Sequence, residues 1–143
     1  MEIGWLILAL LSAVTAALVA IFGKIGLQGV DANTATMVRA GIMFAVLIVV
    51  ILFTGKLGEI SSVLSDRNAV FYIILSGIAG ALSWLFYFGA LKLGDASRVA
   101  PIDRLSIVFV VILAALVLGE HVTPKIAAGV SLMVVGAILV ALG

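Results

Sequence analysis

Residues 3–22 read IGWLILALLSAVTAALVAIF, a run without one charged side chain. At ~1.5 Å per residue such a run crosses a hydrocarbon layer ~30 Å thick, so it is predicted to be a membrane-spanning helix. It follows Met1 and Glu2 with no Lys or Arg ahead of it. A signal peptide carries a basic leading segment and a shorter apolar run, so this helix is expected to be retained.

Outward from it, GKIGLQGVDAN (residues 23–33) reads as a loop and a helix start, with its glycines, a Lys and an Asp. A second span is predicted over 33–53. It carries Arg39 about two turns in, ~9 Å along the axis. The polar stretch TGKLGEISSVLSDRN (54–68) places Leu57, Ile60 and Leu64 at spacings of three and four, the pattern of a short interfacial helix.

A third span is predicted over 68–91, interrupted only by Gly77 and Gly80, with Gly94 as a left-handed cap. Leu105–Gly119 alone is too short to cross, so a fourth span is drawn back to 98–118 with Pro101 in its first turn. This brings Asp103 and Arg104 to the membrane boundary or below it. The fifth span is predicted over 124–142, capped by Thr123, with Pro124 in the first turn. The expected fold is all-α, a polytopic membrane protein of five transmembrane helices in one domain covering 1–143.

Composition agrees. The chain is 65% hydrophobic and 10% charged, with mean hydropathy +1.43, against ~45–50% apolar and ~25% charged for soluble domains. Eight Lys and Arg against seven Asp and Glu leave a net charge of +1, no field for nucleic acid. With no Cys and a single His121, no metal site or cofactor is expected. GKIGLQG lacks the preceding strand and the spacing of a phosphate loop, and no nucleophile stands with an evident base, so no enzyme is expected.

Ionisable groups inside a bilayer cost ~2.5–3.5 kcal/mol each and usually face a cavity or a partner. Arg39 is the first such candidate, either lining a cavity or snorkelling to the interface. Asp103 and Arg104 point ~100° apart on a helix, so either one faces inward or both form a first-turn pair outside the hydrocarbon. Trp84 and Tyr87 share a face with Phe88, and either line a cavity or join the interfacial belt expected for Trp5 and Tyr72. Glu120 and His121 read as a solvated loop. Gly77 and Gly80, and Gly129 and Gly136, are expected to let another helix pack closely.

The stretch GALKLGDASRVAPIDRLSIVFVVILAALVLGEHVT (89–123), continued by the Gly129 to Gly136 segment, resembles one repeat of the EamA domain of the drug/metabolite transporter superfamily. Pro101, Gly119, Glu120 and Gly129 carry the distinctive spacing. Many members hold two inverted repeats in one chain, where this chain holds one, and many have Glu-Pro where Asp103 and Arg104 stand. The resemblance implies a transporter of small solutes, metabolites or drugs, working by alternating access between two repeats, here two copies of the chain. It implies a path around Arg39, Trp84, Tyr87, Asp103 and Arg104, with Asp103 the candidate for coupling to protons. A flippase or accessory subunit for lipid-linked headgroups is the alternative.

Five spans put the Lys56, Arg67 and Lys125 loops on one side and the Lys24, Arg39, Lys92, Arg98 and Arg104 regions on the other. That bias is weak, so dual topology and an antiparallel homodimer are expected. The expected setting is the lipid bilayer of a cell membrane, the prokaryotic cytoplasmic membrane in particular.

Overall fold

A computed structural model describes residues 3–143 as helices and short connections, with no strand among them. In chain order these are α1 (Gly4–Gly26), α2 (Ala32–Phe53), α3 (Leu57–Ser65), α4 (Arg67–Leu93), α5 (Ala96–Asp103), α6 (Ser106–Val117) and α7 (Pro124–Leu142). Five segments are long and apolar enough to span a bilayer, the fourth being α5 and α6 together, Ala96–Val117. The fold is an all-α polytopic membrane protein.

Several boundaries differ from the sequence reading. α1 continues through Gly23 and Lys24 to Gly26, because a helix satisfies its own backbone groups and glycine is tolerated in lipid where it would end a helix in water. α2 starts at Ala32, capped by Asp31, whose carboxylate accepts from the Thr34 N–H at 2.8 Å and the Thr34 hydroxyl at 2.9 Å. The polar stretch after α2 forms the short helix α3, as its spacing predicts. Asp66 then accepts from the backbone N–H groups of Asn68 and Ala69, holding the start of α4.

Gly94 is not a left-handed cap. The left-handed glycines among the described residues are Gly29, Gly55 and Gly119. The two-residue connection after α4 runs straight into Asp95, whose extended backbone opens α5. The Gly94 carbonyl instead accepts from Lys24 Nζ at 2.8 Å.

The fourth span starts at Ala96, so Pro101 lies inside α5 rather than in its first turn. A proline there cannot donate to the preceding turn, and the helix tightens just beyond it. Leu105, Ile107 and Val108 donate to the carbonyls of Ile102, Arg104 and Leu105, each three residues back. Thr123 and Pro124 open α7 as predicted, with Thr123 Oγ1 accepting from the Ile126 N–H at 3.3 Å.

The chain forms two compact units, one of residues up to Lys24 together with Leu93–Gly143, the other Ile25–Lys92. In the first, α5 packs along α7, α6 touches α7, and Arg98 donates to the Gly143 carbonyl at 2.9 Å. In the second, Lys92 Nζ at the end of α4 donates to the Val30 carbonyl ahead of α2 at 2.7 Å. Apolar burial among the described residues is confined to Ala20, Leu27, Ala32, Phe88, Leu91 and Ala137. Phe53 and Leu93 are about nine-tenths exposed, and most large apolar side chains of the spans are exposed with them. Each exposure to water costs ~1.5–3 kcal/mol, so the stable solvent for this surface is lipid.

Candidate functional site

The unit Ile25–Lys92 holds a cavity of about 500 Å³ between α2 and α4. Helical spacing sets its walls. From α2 come Asn33, Thr36, Met37, Arg39, Ala40 and Met43, and from α4 come Gly77, Gly80, Ala81, Trp84 and Leu85. The α4 positions repeat at three and four, one face of a helix.

Arg39 is the charged member of this lining. Its guanidinium carbon stands 3.5 Å from the Trp84 ring centroid and 5.1 Å from that of Phe88. The side chain therefore meets the aromatic face of α4 instead of reaching away from it, and a partly buried contact of this kind contributes on the order of 1 kcal/mol. Trp84 is itself braced. Tyr87 and Phe88 meet it edge-on at 5.7 Å each, and Phe88 is 4% exposed. One turn of α4 thus supplies a ring, its support and a buried anchor.

The remaining polar groups are few. Thr36 is buried and donates its hydroxyl proton to the Ala32 carbonyl at 2.7 Å. Within this unit each carboxylate is engaged outside the cavity: Asp31 and Asp66 cap α2 and α4, and Glu59 pairs with Lys56 at 4.0 Å. Hydrogen bonds from the Thr34 N–H and hydroxyl hold the Asp31 carboxyl below its ordinary range, and Lys92 lowers it further.

Of the sequence candidates, the structure brings Arg39 and Trp84 together in the lining. Tyr87 supports Trp84 and is not itself a lining residue. Asp103 and Arg104 belong to the other unit, at the tightened turn joining α5 to α6, with Asp103 half-buried and Arg104 exposed. Gly77 and Gly80 line the cavity, and a Cβ built at either, or at Gly129 or Gly136, meets nothing within 4 Å among the described residues. Glu120 and His121 lie in the exposed connection before α7. Asn33, Thr36, Met37 and Met43 were not singled out in the sequence, although the Asn33, Met37 and Ala40 spacing marks the same helical face as Arg39 and Met43.

Residues 3–142 match the EamA-like transporter family. The chain belongs to that family. It is also similar, at 41% identity over 141 residues covering 99% of each chain, to an "uncharacterized transporter in cobO 3′ region" from Sinorhizobium sp. No solved structure matches it. As an EamA-like protein with five apolar spans it is a membrane transporter.

Proposed function

We propose that this chain acts as one EamA-like repeat, paired with an inverted second copy, and moves small solutes by alternating access across a cell membrane, in particular a prokaryotic cytoplasmic membrane. The observation that carries the reading is the Arg39–Trp84 cavity in a chain of five spans. A charge held about two turns inside a span, facing a cleft, marks a solute path. An odd span count lets two opposite copies supply the inverted repeats that alternating access uses. The family and the transporter-named relative support the same reading.

Arg39 and Trp84 bind solute in this scheme, with Tyr87 positioning Trp84. Asp103 and Arg104 contribute from the tightened turn of the fourth span, where a discontinuous helix commonly serves binding or coupling. Asp103 is the proposed proton acceptor. The open faces at Gly129 and Gly136 leave room for the second copy to approach.

The test is saturable uptake by liposomes holding only the purified protein, assayed with a panel of labelled amino acids, amines and carboxylates under an imposed proton gradient. Uptake that saturates, and loses its response to the gradient in Asp103→Asn, is expected. Saturable uptake with an unchanged gradient response in that variant removes the coupling role. Lipid scrambling without solute uptake overturns the solute reading.

A further inference from the structure

We propose that the cavity between α2 and α4 selects amphipathic organic anions, binding a carboxylate through Arg39 and the apolar body against Trp84 and the neighbouring methionines. This deepens the transport reading by naming the substrate class of the same cleft, and it rests on that reading.

Arg39 lines the cavity, no acidic side chain does, and the carboxylates of this unit are committed to helix caps and to Lys56. The guanidinium stays protonated at any physiological pH. Among the described residues of this unit it is therefore a positive charge with no carboxylate partner, at the wall of an apolar cleft. The least costly companion for such a charge is an anion supplied by the solute, whereas a cationic solute adds like-charge repulsion in a medium that screens poorly.

Geometry favours a planar anion. The guanidinium carbon lies over the Trp84 ring, 3.5 Å from its centroid, a contact that does not use up the N–H hydrogen-bond donors. Those groups match the two oxygens of a carboxylate, and the ring holds the fork in place before the ligand arrives. Asn33 adds an amide to the lining, while the Thr36 hydroxyl already donates its hydrogen bond to the Ala32 carbonyl.

The rest of the wall is apolar. Met37, Met43, Ala40, Ala81 and Leu85 offer contact to a hydrocarbon or aromatic body, and thioethers adapt to irregular shapes. A cavity of about 500 Å³ lies within the size range of small-molecule sites. A small hydrated anion gains nothing from that wall.

The experiment uses the protein in lipid nanodiscs. Trp5, exposed in α1, is replaced as Trp5→Phe so that Trp84 is the sole fluorescent indole. Two probes share one apolar body and differ in charge: 3-phenylpropionate and 3-phenylpropylamine. A saturable change in Trp84 emission at about tenfold lower concentration of the carboxylate is expected, from the strength of a charge-assisted bidentate bond. The preference is expected to vanish in Arg39→Gln and to be partly kept in Arg39→Lys. Comparing the two probes on protein that keeps Arg39 makes the first result independent of how the variants fold. Equal or tighter binding of the amine by that protein overturns the proposal, as does a preference unchanged in a folded Arg39→Gln. The readout needs no flux, so charge discrimination in a chain that moves no solute supports the anion site while overturning the transport reading.

Discussion

At the scale of single residues, several polar groups of Ile25–Lys92 complete the backbone, whereas Arg39 meets an aromatic face. Asp31 and Asp66 satisfy N–H groups in the first turns of α2 and α4, which have no helical partners, and Lys92 satisfies the Val30 carbonyl in the connection ahead of α2. The Arg39 guanidinium lies over the Trp84 ring, 3.5 Å from its centroid. The division yields a pH prediction. The Asp31 carboxyl is held below its ordinary value of 3.8, first by the Thr34 N–H and then by the Thr34 hydroxyl. A depressed carboxyl contributes stability that is complete above the unfolded-state value and lost as pH falls through the lower folded-state value. The start of α2 is therefore expected to open only in strong acid, seen as faster amide exchange at Thr34 relative to Asp31→Asn, which has no carboxyl to titrate. Equal acid response in the two proteins would show that the cap contributes nothing to the titration. Arg39 was legible in the sequence as a charge about two turns into a span, open between lining a cavity and snorkelling to the interface. Its partner was not, because Trp84 lies 45 residues away, and only the meeting of α2 with α4 turns two ambiguous residues into one contact.

At the scale of elements, span number was readable because lipid demands ~20 apolar residues and tolerates few charges, a stricter rule than any soluble fold imposes. Span ends were less readable. Gly23, Gly26 and Gly94 look alike as letters, yet α1 runs through the first to end at the second while the third sits in a connection with an ordinary backbone. The difference lies in what their backbone groups meet: the Gly94 carbonyl is taken by Lys24. The fourth span shows the same limit, since Pro101 suits a first turn in isolation but tightens the helix once Asp95 has started it earlier. Gly119 is where conformation itself is demanded. Its φ of 69° lets the chain leave α6 with the Glu120 N–H returning to the Ala114 carbonyl at 3.1 Å. A side chain in that region costs about 1–2 kcal/mol, so Gly119→Ala is expected to lower thermal stability in detergent by that amount. Gly129→Ala, in a helical interior with open space around the added carbon, is expected to leave monomer stability unchanged or raise it. Equal losses in the two variants would mean that the left-handed backbone at Gly119 is not what distinguishes it.

At the scale of the whole molecule, the governing fact is that apolar surface greatly exceeds apolar core, and lipid or a second copy must cover it. The family and the five spans establish a membrane transporter, while the arrangement of copies rests on charge bias and parity. Parity gives a sharp expectation. With five spans, the turn containing Gln28 and the helix α3 containing Ser61 fall on opposite sides of the bilayer, since α2 alone separates them. The basic residues divide three against five between the two sides, a weak bias. The natural chain has no cysteine, so Gln28→Cys and Ser61→Cys, both at exposed positions, can each be labelled from outside intact cells with a membrane-impermeant maleimide. For an antiparallel homodimer, roughly half of the molecules are expected to react at each position, because each copy presents the opposite loop. Disruption of the cells should then expose the other half. Complete reaction at one position with none at the other would establish a single orientation, and the second inverted repeat would then have to come from a different chain.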